Sequence, residues 1–130
     1  MIPRDYSYRL LHCVYEVYDN LGPGLLESVY EKALSIELEH KGFSVQRQVL
    51  VPIVYKGETI DNALRLDLLV DDKVIIELKS VTEYKKLFEK QLYTYLRLLN
   101  KELGYVINFN VEDIKCGIHS VANKQCKHTT

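Results

Sequence analysis

Three charged residues interrupt the otherwise apolar stretch from Ala63 to Ser80, ALRLDLLVDDKVIIELKS: Asp67, Glu77 and Lys79. Glu77 and Lys79 are two apart, so on a strand their side chains leave the same face. The polar triplet Asp71-Asp72-Lys73, set between two runs of Leu, Val and Ile, reads as the loop of a hairpin. A three-residue loop relates cross-strand partners by the sum 144 and pairs position 67 directly with 77. Directly paired residues share a face, with Cβ atoms roughly 5 Å apart. A two-residue loop would pair 67 with 76 and send Glu77 to the other side. Two carboxylates and an ammonium left unpaired among apolar strands are costly. A hard divalent cation, magnesium or manganese, relieves that cost, with Asp67, Glu77, the backbone carbonyl of Leu78 and a substrate phosphate as its oxygen ligands. Lys79 beside such a metal can hold or help deprotonate an attacking water. A buried salt bridge, or an amphipathic hairpin with solvated charges, produces the same spacing, and D-x9-E-x-K alone does not separate these readings.

The elements that must position these residues follow from periodicity. Leu10, Leu11, Val14, Val17, Tyr18 and Leu21 recur at three and four and predict a helix over 5–21, stopped by Gly22-Pro23-Gly24. A second helix is predicted over 25–41, with Leu26, Val29, Tyr30, Ala33, Leu34 and Leu38 inward and Gly42 as its stop. Residues 43–55 read as extended, with Pro52 at a bulge or edge, and Lys56-Gly57-Glu58 as a turn. A third helix is predicted over 83–101, with Leu87, Gln91, Tyr95 and Leu98 along one stripe. Tyr105 to Phe109 reads as a strand, the alternation of Ile114, Cys116 and Ile118 as a last strand, and 122–130 as a frayed tail. A mixed sheet flanked by helices is the economical way to bury these faces.

Composition bounds the rest. The 130 residues suffice for a single domain, assigned to 1–121, with one core. A formal net charge of −1 gives no global field, so a nucleic-acid partner must be met by a local basic patch. Arg65, Lys85, Lys86 and Lys90 are the candidates for phosphate contacts, although a basic helix start is also what a solvated face looks like. No apolar run reaches transmembrane length, the start MIPRDYSYRL is too polar for a signal peptide, and three cysteines without Cys-x-x-Cys suit free thiols. These features lead us to expect a cytoplasmic protein without membrane contact.

Two further groups could serve a site on the hairpin. Glu27 falls in the first turn of the second helix, where the helix dipole favours a carboxylate with or without a catalytic task. Gln91 and Tyr95 are spaced i,i+4, as an ordinary helix-surface pair would be. Taken together, Gly24-Leu-Leu-Glu27-Ser-Val-Tyr30, Arg65-Leu-Asp67-Leu-Leu-Val, Ile76-Glu77-Leu-Lys79-Ser, Gln91-Leu-Tyr-Thr-Tyr95-Leu and Ile107-Asn108-Phe109-Asn110 resemble the GxxExxY proteins. That family is grouped with the PD-(D/E)XK nuclease-like superfamily, and the resemblance runs from about Leu10 to Ile118. It implies an α/β fold with a restriction-endonuclease-like core, a mixed β-sheet flanked by helices in the order α-αβββαβ.

The resemblance further implies that Asp67 and Glu77 are metal ligands, Lys79 the catalytic lysine and Glu27 an added helix carboxylate. Gln91 and Tyr95 resemble the Gln-x-x-x-Tyr motif of the RecB-type and lambda-exonuclease-like branch. Leu66 stands where the superfamily name has proline. The activity implied is metal-dependent phosphodiester hydrolysis, in DNA, with Mg2+ or Mn2+; the alternative is a catalytically silent module that binds nucleic acid or protein. A homodimer or a larger nuclease assembly stays open. A competing metal reading comes from Cys116, His119, Cys126 and His128, all zinc-competent, although C-x2-H-x6-C-x-H is no standard zinc spacing.

Overall fold

The computed structural model describes residues 1–127. Two helices lead, α1 (Arg4–Leu21) and α2 (Glu27–His40), followed by strands β1 (Val45–Tyr55), β2 (Glu58–Val70) and β3 (Val74–Lys79). Helix α3 (Leu87–Leu99) crosses to β4 (Leu103–Asn108), and a 3-10 turn, Ile114–Gly117, leads into β5 (Ile118–Ala122). The strands form one sheet in the order β1-β2-β3-β4-β5, antiparallel throughout except for the parallel pair β3–β4. A parallel pair needs a crossover, and α3 is that crossover. This is the expected restriction-endonuclease-like arrangement, a mixed sheet with α1 and α2 on one face and α3 on the other.

Each face owes its helix to a narrow apolar stripe. Tyr6, Leu10, Cys13, Val14 and Val17 of α1 and Tyr30, Leu34 and Leu38 of α2 pack with Leu68, Val70, Val74, Ile76 and Leu78. Leu92 and Leu96 of α3 pack with Leu66, Leu69, Ile75, Val106 and Val121. Gly104 permits the close approach of α3, because a Cβ there would stand 2.9 Å from the Ile75 carbonyl and 3.0 Å from Leu92. The expected stripe through Leu87, Gln91, Tyr95 and Leu98 is therefore corrected. Leu87 and Leu98 are exposed, and the inward line runs through Phe88, Leu92, Leu96 and Leu99, one residue further round the helix.

Two other expectations change. The alternation at Ile114, Cys116 and Ile118 is a 3-10 turn capped by the Asp113 side chain, which accepts from the Lys115 amide at 3.1 Å; the strand begins only at Ile118. Of the tail expected to fray, 122–130, residues 128–130 lie outside the described residues; within the rest Asn123 is buried, its amide nitrogen donating to the carbonyl of Lys101 at 3.1 Å, and the Lys127 amide donates to the Asn100 side chain at 2.8 Å. Among the described residues no helix is long and apolar enough to cross a membrane.

Candidate active site

The β2–β3 ladder pairs Val70 with Val74, Leu69 with Ile75 and Leu68 with Ile76, the register of a three-residue loop. There it stops, and the side chains of the next pair take over. Glu77 Oε2 accepts from the backbone amide of Asp67 at 2.8 Å, and Asp67 Oδ2 accepts from the amide of Leu78 at 2.8 Å. The carboxylates thus stand where backbone carbonyls would continue the ladder, which holds both at the point where the strands part. Leu66 and Leu69 belong to the α3-side core while Leu68 and Val70 belong to the other, so strict alternation also breaks across Asp67. Lys79 O accepts from Phe109 N on the β4 side, whereas the Leu78 amide points toward β2. The amide and carbonyl of one strand residue point the same way, so the Leu78 carbonyl faces the same opening.

The pair is electrostatically expensive. Glu77 is buried, and burial, followed by the charge of Asp67, pushes its carboxyl up to about 8; the amide of Asp67, Lys79 and Arg65 oppose the rise. Burial also raises Asp67, against the hydrogen bond from Leu78, and the charges of Glu31 and Glu27 add to the rise. Burial and mutual repulsion thus both oppose ionising the two carboxyls together, and a bound cation would offset that cost. Glu77 Oε1 accepts no hydrogen bond among the described residues, and since no fully buried side-chain oxygen there lacks a partner, it reaches solvent. Among the described residues Lys79 forms no ion pair with either carboxylate; its Nζ stands 4.4 Å from the centroid of the Phe88 ring.

The N-terminus of α2 is tied to the end of β3 by named contacts. The Tyr30 hydroxyl donates to the Gly22 carbonyl at 2.6 Å and accepts from the Leu25 amide at 3.1 Å, while its ring stacks on Phe109 at 4.3 Å. Ser80 Oγ donates to the Leu25 carbonyl at 2.6 Å, and the Ser80 amide donates to Glu27 Oε2 at 3.3 Å. Glu27 therefore sits at the exposed rim, beside the residue that follows Lys79. Buried Asn108 holds the chain beyond Ser80, accepting from the Val81 amide at 3.1 Å and donating to its carbonyl at 3.0 Å.

Tyr95 of α3 is half-buried, its hydroxyl raised first by burial and then by the charges of Glu77 and Asp67, so it borders the site. Gln91, one turn earlier, is exposed and makes no hydrogen bond among the described residues. Arg65 is exposed and close enough to act on both Glu77 and Tyr95. Lys85, Lys86 and Lys90 are exposed; Lys86 pairs with Glu89 at 3.5 Å, and Lys86 and Lys90 line an open groove of about 700 Å³ between α3 and β5. Among the described residues the zinc reading finds no support, because no three such side chains converge. The His119 ring stacks on Tyr84 at 3.9 Å, Cys126 Sγ donates to the Asn100 carbonyl at 3.3 Å, Cys116 lies on the 3-10 turn, and His128 is outside the described residues.

Three residues at the site were not anticipated. Glu31 is buried at 7 % exposure, one turn after Glu27, with Arg47 Nε and Nη2 donating to its Oε2 at 3.1 and 3.0 Å. The Gln48 side-chain amide donates to Glu31 Oε1 and, at 3.4 Å, to Asp67 Oδ1. The i,i+4 spacing of Glu27 and Glu31 was a visible signal for the first. Arg47 and Gln48 carried none, because the register that sets Gln48 opposite Asp67 is not written in either residue's type.

A model of the PD-(D/E)XK nuclease superfamily matches residues 4–121. The chain belongs to that superfamily. No curated protein and no solved structure matches it. PD-(D/E)XK proteins are typically nucleases and generally use divalent metals, which implies a nucleic-acid substrate. The acidic pair fits such an ion chemically: two oxygen donors, each anchored through one oxygen by a backbone amide, carry a repulsion that a cation would relieve. No three His, Cys, Asp or Glu side chains among the described residues converge into a closed cage. A hard cation that keeps waters and takes substrate oxygens needs none.

Proposed function

We propose that this chain is a Mg2+- or Mn2+-dependent nuclease that hydrolyses phosphodiester bonds in DNA. The observation that carries the reading is the exchange of hydrogen bonds between Asp67 and Glu77. It holds two mutually repelling carboxyls at the parting of two strands, where a plain salt bridge would have drawn Lys79 in. Asp67, Glu77 and the Leu78 carbonyl would hold the cation, with Glu27 reaching in from the rim. When bound, such an ion polarises the scissile phosphate and lowers the pKa of an attacking water.

The chain's own groups supply the rest. Lys79, resting on Phe88 and in no ion pair among the described residues, is available to orient the water or meet the negative charge that grows on the phosphate. Tyr95 borders the carboxylates and limits the space beside them, and exposed Gln91, one turn away, is positioned to contact substrate. Arg65, Lys85, Lys86 and Lys90 would take backbone phosphates. Tyr30 ties down the turn at Gly22 and Leu25 that leads into α2, whose first residue is Glu27, and this supports the finer kinship with the GxxExxY proteins.

The test is a cleavage assay on single- and double-stranded DNA and RNA with Mg2+, Mn2+ or chelator, run beside Asp67→Asn and Lys79→Ala. Cleavage of DNA that needs the metal and both side chains supports the reading. Metal-dependent DNA binding without cleavage by the wild type would leave a silent binding module.

A further inference from the structure

Gln48 has a backbone φ of 50°, in the left-handed region, although it lies inside strand β1 and is neither glycine nor asparagine. Residues of this type avoid that region unless the surroundings impose it, and such outliers gather at functional sites. Its neighbours place it across from the acidic pair: Arg47 pairs with Leu68 and Val49 with Leu66, so Gln48 faces Asp67. The side chain lies between two carboxylates, on Glu31 Oε1 and at 3.4 Å from Asp67 Oδ1. Between two anions only the NH2 end of the amide has a favourable orientation, and its two hydrogens can serve both. Glu31 is in turn held on its other oxygen by two nitrogens of Arg47. A continuous connection therefore runs from the Arg47 guanidinium through Glu31 and Gln48 to Asp67, whose second oxygen is held by the Leu78 amide.

We infer that Gln48 is a positioning residue for the metal centre: its amide fixes Asp67 Oδ1, the oxygen that the Leu78 amide does not hold, and keeps the buried Glu31 carboxylate tied back from it. Both effects preset Asp67 and Glu77 for one cation. Without the amide, Asp67 Oδ1 can turn about its remaining hydrogen bond, and Glu31 loses the group that separates it from Asp67. Groups that orient a ligand from behind typically change metal affinity ten- to a hundredfold when removed, by order of magnitude.

This inference rests on the metal-dependent reading above, and the experiment separates the two. Mn2+ is titrated calorimetrically into wild type, Gln48→Gly, Gln48→Asn and Asp67→Asn, and each protein is melted in chelator. Glycine and asparagine both tolerate the left-handed backbone; glycine removes the amide and asparagine shortens its reach. Both Gln48 variants should melt within a few degrees of wild type yet bind Mn2+ about ten- to a hundredfold more weakly. Wild-type affinity in either folded variant would overturn the assignment, whatever its melting temperature. Collapse of both in chelator would make Gln48 a structural residue and overturn it too. If wild type binds Mn2+ no better than Asp67→Asn, the metal-dependent reading itself fails, and this inference with it.

Discussion

Lys79 Nζ lies 4.4 Å from the Phe88 ring centroid and, among the described residues, forms no ion pair with Asp67 or with Glu77, its neighbour but one on the same strand. A cation–π contact at a partly exposed site is worth roughly 0.5–1 kcal/mol, so it parks the ammonium without trapping it. Lys79→Ala should therefore abolish cleavage while leaving Mn2+ affinity equal or tighter, since a repelling charge is gone. Glu77→Gln should lower affinity and cleavage together. Calorimetry beside a cleavage assay separates the two, and weaker Mn2+ binding by Lys79→Ala would contradict this division of roles.

The metal-free protein should lose stability as pH rises. Glu77 titrates at about 8 in the folded chain against an ordinary 4.5, so in that window the folded state holds a proton that the unfolded state has released. Stability is fully present below the unfolded value and is lost as pH climbs through the folded one; the upward shift of Asp67 acts in the same direction. Melts in chelator from about pH 5 to 9 should decline, and Glu77→Gln should flatten the decline. Cation binding needs the ionised pair, so affinity should grow over the same range with release of a proton. A melting temperature that rises with pH in chelator would rule this out.

Binding of substrate has its own signature. Lys85 and Lys90 are exposed and without ion pairs among the described residues, whereas Lys86 is shared with Glu89. Changing Lys85 and Lys90 to Gln should weaken DNA binding and reduce the slope of log K against log salt by roughly 0.9 for each duplex phosphate that is no longer neutralised. Lys86→Gln should do less. An unaltered slope in the double variant would place the DNA elsewhere.

Tyr30→Phe should cost about 1–3 kcal/mol in denaturant unfolding, because the Gly22 carbonyl and the Leu25 amide lose the hydroxyl while the stack on Phe109 survives. The loosened loop carries Leu25 and Glu27, so amide exchange at Leu25 and Ser80 should accelerate more than in the sheet. Uniform acceleration across the chain would show that Tyr30 acts only as core.

Gly117→Ala should be more damaging than any other glycine-to-alanine change in the chain. Its Cβ would overlap the Asn108 carbonyl oxygen, so β4 or the 3-10 turn must move, at a cost on the order of 1–3 kcal/mol or more. Asn108 would carry that shift to Val81. A thermal melt equal to wild type would show that the turn yields freely.

The hairpin was legible because its register is arithmetic: three loop residues fix the pairing of every residue behind them, as Leu68 with Ile76 shows. Helix α1 was legible because Leu10, Val14 and Val17 form one covered stripe, although Leu21 at its end is exposed. Helix α2 was legible only through Tyr30, Leu34 and Leu38: Leu26 and Val29, expected inward, are exposed, and polar Glu31 and Ser35 share the covered face because the site and β1 lie beneath it. Helix α3 was not, since LFEKQLYTYLRLL carries two overlapping stripes and only the sheet beneath decides which is covered. Gln48 was hidden for another reason. The β1–β2 pairing shifts between Val51 and Ile53, so counting back from the Lys56-Gly57 turn does not set Gln48 opposite Asp67. The 3-10 turn at Ile114 shows the limit of a short alternation, because three apolar residues spaced by two also fit one tight helical turn.

The sheet changes from antiparallel to parallel at β3, the strand that carries Glu77, and this topology predicts an order of events in folding. Val70 and Val74 meet across three residues, a closure that takes microseconds, whereas Val74 reaches Leu103 only after the whole crossover has formed. The acidic hairpin is thus a local, early element, and the covering of Glu77 by β4 and α3 is a non-local, late one. The energetic penalty of burying that carboxylate falls on the late step. In the metal-free chain, substitutions that relieve it should chiefly slow unfolding and leave the refolding rate little changed.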